Sequence, residues 1–220
     1  MDINRIPFYQ YNTIIVGTGA AGLNAAVTLH KLGQKNIALI TEGRYMGTSR
    51  NTGSDKQTYY KLTQCGSEPD SVRKMAETLF DGGCVDGDIA MAEAAGSLRA
   101  FYHLVDIGVP FPFNKSGEYV GYKTDHDPLK RGISAGPLTS KYMTECLERQ
   151  AEERGIPFFD GYQAVRLLTE EKNGEKWAAG IIALNKRKAA SADERYAVFS
   201  AVNIIWATGG EAGMYQASVY

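Results

Sequence analysis

Apolar positions first fall into order at residues 11–16, where YNTIIV gathers β-branched residues into a short run that predicts a strand. The run leads directly into Gly17-Thr18-Gly19-Ala20-Ala21-Gly22. Beyond it Leu23, Ala26, Val27 and His30 recur at helical spacing. They predict a helix to about Leu32, with Gly33 as the residue just past its end. Residues 36–41, centred on Ile37, Ala38, Leu39 and Ile40, predict the next strand. Strand, glycine turn, helix and strand at this spacing make a βαβ unit.

The next stretch, 43–66, is rich in glycine, hydroxyl and charged residues and reads as a loop with a short helix over 55–62. Residues 71–79 predict another helix. Asp88 is the expected cap of a long helix over 89–106, with Ala92, Ala95, Leu98, Tyr102 and Val105 as its apolar face. Gly96 weakens that helix by about 1 kcal/mol relative to Ala, which suggests a close neighbour that excludes a side chain. Gly108 and Pro110 stop it. Residues 111–137 are irregular. A further helix covers 138–154, with Met143, Leu147 and Ala151 on one face, and Gly155 and Pro157 end it.

From there the period changes to two. Residues 163–169, 177–184 and 196–199 predict three strands, with Asn173-Gly174 turning between the first two. A polar connection covers 186–194. Residues 201–206, with Val202, Ile204 and Ile205, predict a separate strand of buried type that ends in Ala207-Thr208-Gly209-Gly210. The fold class is α/β.

Composition narrows the function. Lys and Arg number 24 against 25 Asp and Glu, so no excess of positive charge is available to gather phosphates, and nucleic acid is not the expected partner. Cys65, Cys84 and Cys146 are scattered without a CxxC pair, which removes the zinc and dithiol signatures and suits a reducing, cytoplasmic location. No run approaches the roughly 20 apolar residues of a membrane span.

The chemistry concentrates in the βαβ unit. A GxGxxG run between a predicted strand and helix is a dinucleotide fingerprint. Gly17 makes the tight turn, Gly19 lets backbone approach a pyrophosphate, and Gly22 allows the helix to pack on the strand. The amides of Ala20 and Ala21 then face the phosphates. Glu42, with Gly43 beside it, follows the second strand about twenty residues after the last glycine, the position of a ribose-binding carboxylate. Its charge opposes a 2'-phosphate, which favours FAD or NAD over NADP. The βαβ unit alone does not choose between those two. The second glycine turn and the three strands before it favour FAD.

The chain resembles the FAD-binding part of the succinate dehydrogenase/fumarate reductase flavoprotein family, which includes L-aspartate oxidase, adenylylsulfate reductase and ketosteroid dehydrogenases. The resemblance is carried by IIVGTGAAGLNAA at 14–26, Glu42, GTSRNTGS at 47–54, LVDIGVPF at 104–111 and IIWATGGEAGMY at 204–215. It implies a Rossmann-like FAD-binding domain with a three-stranded β-meander insertion, truncated before the capping domain. Residues 12–42 would form the dinucleotide-binding unit, 162–200 the meander, and 201–215 the return strand and second glycine turn. It places FAD at Gly17, Gly19, Gly22 and Glu42, Thr48 and Ser49 toward the pyrophosphate or ribityl chain, and Thr52, Gly53 and Ser54 toward the flavin. Ala164 and Val165 match the strand that meets adenine, and Ala207, Thr208, Gly209 and Gly210 the turn that closes over the dinucleotide.

Two departures from the family stand out. Where respiratory members carry a histidine between serine and threonine, this chain has Ser49-Arg50-Asn51-Thr52, so noncovalent FAD is expected. Where many relatives carry paired glycines beside the flavin ring, it has Ser54-Asp55-Lys56-Gln57. The family's catalytic arginine belongs to the capping domain, so no catalytic residue is assigned. A small-molecule substrate, a redox partner subunit and hydride transfer at flavin N5 to or from a carbon next to a carbonyl are expected of an intact protein, with this chain alone inactive. The alternatives are a noncatalytic FAD module working with a partner chain and an NAD-binding regulatory domain. His103, Met143 and the Tyr59-Tyr60 pair read first as packing residues. His126 and the charges between Asp125 and Arg131 are weaker candidates for a flavin-side cleft.

Overall fold

A computed structural model describes residues 6–55, 57–65, 69–125, 127–187, 195–210 and 216–217, in two units. His126, Lys56 and the 211–215 end of the second glycine motif lie outside the described residues. The first unit comprises Met1–Asn51 and Leu147–Tyr220, and the second Thr52–Cys146.

The first unit is built on a six-stranded sheet. Its strands are β1 (Phe8–Val16), β2 (Ile37–Thr41), β5 (Phe158–Asp160), β6 (Tyr162–Lys172), β7 (Glu175–Asn185) and β8 (Tyr196–Trp206), in the order β5-β2-β1-β8-β7-β6. The four strands from β5 to β8 run parallel, and β7 and β6 continue antiparallel. All five residues of β2 are buried, as an unbroken apolar run in a parallel sheet should be. Helix α1 (Ala20–Lys31) buries Gly22, Leu23, Ala26 and Val27, the stripe its spacing predicts apart from His30. Gly33, at φ 100°, stands just beyond its end. A second packed cluster joins Ile14, Val16 and Ile40 to Ile181, Ala183, Ala197 and Phe199. Tyr9, Phe159 and Tyr162 ring Phe199 with centroids 4.8–5.6 Å away.

The two strands predicted at 196–199 and 201–206 are one. Ser200 does not break β8: it pairs antiparallel with Gly180 on one side and parallel with Gln10 on the other. The meander is therefore fused to the parallel sheet through a shared strand. Gly180 has no room for a side chain, since a Cβ there would lie 2.2 Å from the Phe199 carbonyl oxygen. Asn173 and Gly174 both have positive φ, as the predicted hairpin turn requires. The short strand β5 was not expected. It follows directly after Pro157, whose carbonyl accepts the Leu39 amide at 3.0 Å.

The second unit contains α3 (Val72–Asp81), α4 (Gly87–Asp106) and a two-stranded ribbon of β3 (Tyr59–Tyr60) and β4 (Gly132–Ile133). Ser71 caps α3. Asp86, not Asp88, caps α4, and its Oδ1 accepts the amides of Asp88 and Ile89. The buried face of α4 is Ala90, Ala94, Ser97, Phe101 and Leu104. Ala92, Ala95 and Tyr102 of the expected face are exposed, and Leu98 and Val105 only half-buried. Both stripes have helical spacing in this alanine-rich helix. The choice falls to Phe101, which packs among Tyr59, Phe111 and Tyr119. Gly96 is open, with nothing within 4 Å of a built Cβ among the described residues, so the expected close neighbour is absent. Among the described residues of 55–62 no helix forms. Aromatic residues there favour the ribbon.

Charges in the second unit are arranged around Arg131, which is fully buried. Its Nε and Nη2 donate to the two oxygens of Asp70 at 2.9 and 2.7 Å, and its Nη1 to Tyr60 and Thr78. Burial alone would lower the Arg131 pKa, but its hydrogen bonds to Asp70 and Tyr60 hold it above the ordinary value. Asp125 and Lys130 are exposed, so the charges between 125 and 131 do not form one cluster. Helix α5 (Thr139–Glu153) begins in this unit and ends in the first, where Leu147 and Ala151 are buried as expected.

Candidate functional site

The carboxyl ends of β1, β2 and β8 open onto a cleft of about 660 Å³, the size of a small-molecule site. Its floor depends on two glycines. Gly17 leaves β1 at φ 111°, its amide donating to the Ile40 carbonyl at 2.8 Å. A Cβ at Gly17 would lie 2.2 Å from the Ala207 carbonyl oxygen, so the second glycine turn presses directly on the first. The Ala207 amide returns a 2.8 Å bond to Val16. A Cβ at Gly22 would lie 2.1 Å from the Gly17 carbonyl oxygen, which seats α1 against the turn.

Gly19 is the N-cap of α1 and has no side chain of its own to cap it; the first turn carries no acidic residue. The first amides of a helix have no acceptor within the helix and carry the positive end of its dipole. The Ala20 amide donates to Ser49 Oγ at 3.3 Å. Thr18 Oγ1 donates to Thr41 Oγ1 at 3.0 Å, tying the ends of β1 and β2 together.

Of the sequence-predicted residues, Gly17, Gly19, Ala20, Ala21, Glu42, Gly43, Thr48, Ser49, Ala164, Ala207, Thr208 and Gly209 line this cleft. Gly22 lies behind it as packing. Val165 is 50% exposed and does not line it, and neither does Gly210. Thr48 and Ser49 sit on a one-turn helix, α2 (Thr48–Asn51), where a loop was expected. Thr52, Gly53 and Ser54 belong to the second unit, where the Ser54 amide donates to the Pro137 carbonyl at 3.0 Å.

Sequence reasoning missed Tyr162, Gln163, Met46 and Trp206 in the lining. It also missed Lys186, whose Nζ pairs with Glu42. No local signal marks Lys186, which follows β7 and reaches β2 only through the meander. Its charge offsets that of Glu42, so Glu42 by itself no longer argues strongly against a 2'-phosphate. The Tyr162 hydroxyl accepts from Asn185 Nδ2 at 3.2 Å, and burial, then Tyr9, raise its pKa, so it stays a neutral phenol.

A glycine floor, a helix amino end that begins at a glycine and a carboxylate after the second strand fit the adenosine and pyrophosphate of a dinucleotide. Comparison with known proteins names the group. L-aspartate oxidase of Agrobacterium fabrum is 27% identical over 212 residues, covering 94% of this chain and 37% of that protein. The 8-methylmenaquinol:fumarate reductase flavoprotein subunit of Wolinella succinogenes is 27% identical over 213 residues, covering 96% of this chain and 33% of that protein. The chain thus spans about a third of the length of these curated relatives. Mycobacterium smegmatis Sdh1 in complex with UQ1 shares the fold, with a TM-score of 0.81 at 17% identity, covering 97% of this chain and 36% of that one. Neither a noncatalytic module nor an NAD-binding regulatory domain is favoured by these similarities. FAD is the cofactor they indicate. Residues 12–218 match the FAD binding domain family across almost the whole chain, and the chain belongs to that family.

Proposed function

We propose that this chain is the FAD-holding part of a fumarate reductase/succinate dehydrogenase-like oxidoreductase and holds the cofactor without a covalent bond. One observation carries the reading: the amino end of α1 and the carboxylate of Glu42 line one cleft at the ends of adjacent parallel strands. A pyrophosphate needs the first and a ribose diol the second. Gly17, Gly19, Ala20 and Ala21 receive the pyrophosphate, with Thr48 and Ser49 beside it. Glu42 accepts from the ribose, and Ala164 and Gln163 lie toward adenine. Ala207, Thr208 and Gly209 close over the dinucleotide.

The three histidines are His30, His103 and His126, so none falls in the 42–55 stretch, which supports noncovalent binding. Bound FAD supplies hydride exchange at its N5 atom. The substrate of the intact protein is a small molecule with a reacting carbon next to a carbonyl. Electrons pass through a redox partner subunit, a role supported by the word subunit in the fumarate reductase relative's name. Among the described residues no helix is long and apolar enough to cross a membrane. Cys65 and Cys84 stand as free thiols and the chain carries no CxxC pair, which supports a cytoplasmic location.

The test is a visible spectrum of the chain folded with FAD and purified, repeated on the supernatant after acid precipitation. Yellow protein that yields its flavin to the supernatant is expected. Flavin retained in the precipitate overturns noncovalent binding, and a folded colourless chain overturns the cofactor assignment.

A further inference from the structure

The cleft wall between β2 and the end of α2 is held unusually. Gly43, Met46, Thr48 and Ser49 line the cleft, yet no residue from Glu42 to Asn51 is buried. Tyr45 and Met46 are mostly exposed. Apolar burial therefore contributes little to keeping this wall in place. Charge takes over that task. Glu148 on α5 is buried, and its two oxygens accept from different arginines: Oε1 from Arg44 Nε, Oε2 from Arg50 Nη2. Arg44 and Arg50 bracket the wall near its two ends. Arg44 also pairs with Glu152, stacks 4.0 Å over the Phe158 ring, and donates its amide to Asp160 at 2.9 Å. Arg50 directly follows Ser49, the residue that meets the Ala20 amide at the amino end of α1.

We propose that Glu148 is a positioning residue of the dinucleotide cleft: it grips Arg44 and Arg50 together and so sets where Thr48 and Ser49 stand against α1. This rests on the reading of the cleft as an FAD site. Charge-assisted pairs that are mostly withdrawn from water keep their geometry far better than exposed ones. One carboxylate shared by both ends of a segment fixes the segment as a unit.

The test combines FAD titration with amide hydrogen exchange on the full chain and on Glu148→Gln, which keeps the size and removes the charge. The expected result is an FAD dissociation constant raised by about tenfold or more, the cost of one charge-assisted pair. Amide exchange should quicken at 43–51 and stay unchanged in β1, β2 and α1. Arg50→Met is the second variant and releases only one end, so its faster exchange should be confined to 48–51. Adding Arg50→Met to Glu148→Gln should then cost less than the two effects combined. Exchange that is unchanged at 43–51, or faster everywhere, overturns the role of Glu148 even if the unaltered chain binds FAD well. An unaltered chain that binds no FAD overturns the cofactor reading, and with it the cleft this residue is said to position.

Discussion

The same substitution, glycine to alanine inside a helix, should have opposite signs at two positions of this chain. Alanine is the better helix former by about 1 kcal/mol, and that gain applies to both Gly22 in α1 and Gly96 in α4. At Gly96 a Cβ meets nothing within 4 Å among the described residues, so the gain stands alone. At Gly22 the new Cβ would lie 2.1 Å from the Gly17 carbonyl oxygen. That is roughly 1 Å short of the closest ordinary carbon–oxygen approach. The obstacle is backbone, so no side chain can swing aside. Either α1 lifts from the turn or the turn opens, and overpacking of this kind costs about 1–3 kcal/mol or more. The clash exceeds the propensity gain. With a 2.1 Å approach to backbone the clash falls at the upper end of that range, about 3 kcal/mol, so the net loss is about 2 kcal/mol. Gly22→Ala should lower the melting temperature by roughly 4–8 °C and Gly96→Ala raise it by roughly 2–4 °C, using the usual scaling for domains of this size. Thermal melts of the two variants, each followed by far-ultraviolet circular dichroism, read both signs. A Gly22→Ala chain as stable as the parent would refute the steric reasoning, and a destabilised Gly96→Ala chain would show that the face around Gly96 is covered.

Glu42→Ala should weaken FAD binding by roughly tenfold or more, because hydrogen bonds to a charged acceptor are lost. The melting temperature should barely move, since the ion pair to Lys186 is half-exposed and such pairs contribute little; an unchanged dissociation constant would remove Glu42 from the site. Burial alone would raise the Asp70 pKa, but Arg131 and the amides of Thr63 and Ser71 hold it below its ordinary 3.8. That stabilisation is full above the unfolded value and fades as pH falls through the folded one, so the parent should lose more stability than Asp70→Asn between neutral pH and strong acid. Parallel acid titrations of the two melting temperatures would contradict this. Lys61 is buried 4.9 Å over the Phe101 ring without a carboxylate partner among the described residues, and burial lowers its pKa. Lys61→Met should therefore raise the melting temperature at pH 7, with the gain shrinking toward high pH as the lysine loses its charge; a drop at pH 7 would mean that the ammonium has a stabilising partner.

The local parts of the site were readable. GxGxxG, the helix after it and Glu42 all lie within one βαβ unit, where spacing and residue type carry the geometry. The contribution of Gly17 to the second turn was not readable, because the carbonyl it must clear belongs to Ala207. Lys186, Tyr162 and Gln163 escaped for the same reason: only the path of the meander brings them to the cleft. Strand β5 is three residues long and follows a helix-ending proline, too short for a period to register. In α4 the spacing allowed two faces, and only the aromatic cluster around Phe101 decides between them. The division of 196–206 into two strands failed because a change of partner along a strand leaves no mark in its sequence.

The shared strand has a consequence for how the protein is made. β1 and β2 lie close together in sequence, but the other edge of β1 waits for β8, whose Val198 pairs with Phe8 far along the chain. At about 5–20 residues per second that wait lasts roughly 10–40 s. Through it Ile14, Ile15 and Val16 present an unpaired, apolar edge, the kind that recruits other chains. Pairing over such sequence separation is also slow once synthesis ends, because the loop must close before any contact compensates for its lost entropy. Ligand cannot help early, since the floor of its site is completed only when Ala207 arrives against Gly17. The yield of soluble protein should thus depend on translation speed and chaperone supply more than its equilibrium stability suggests.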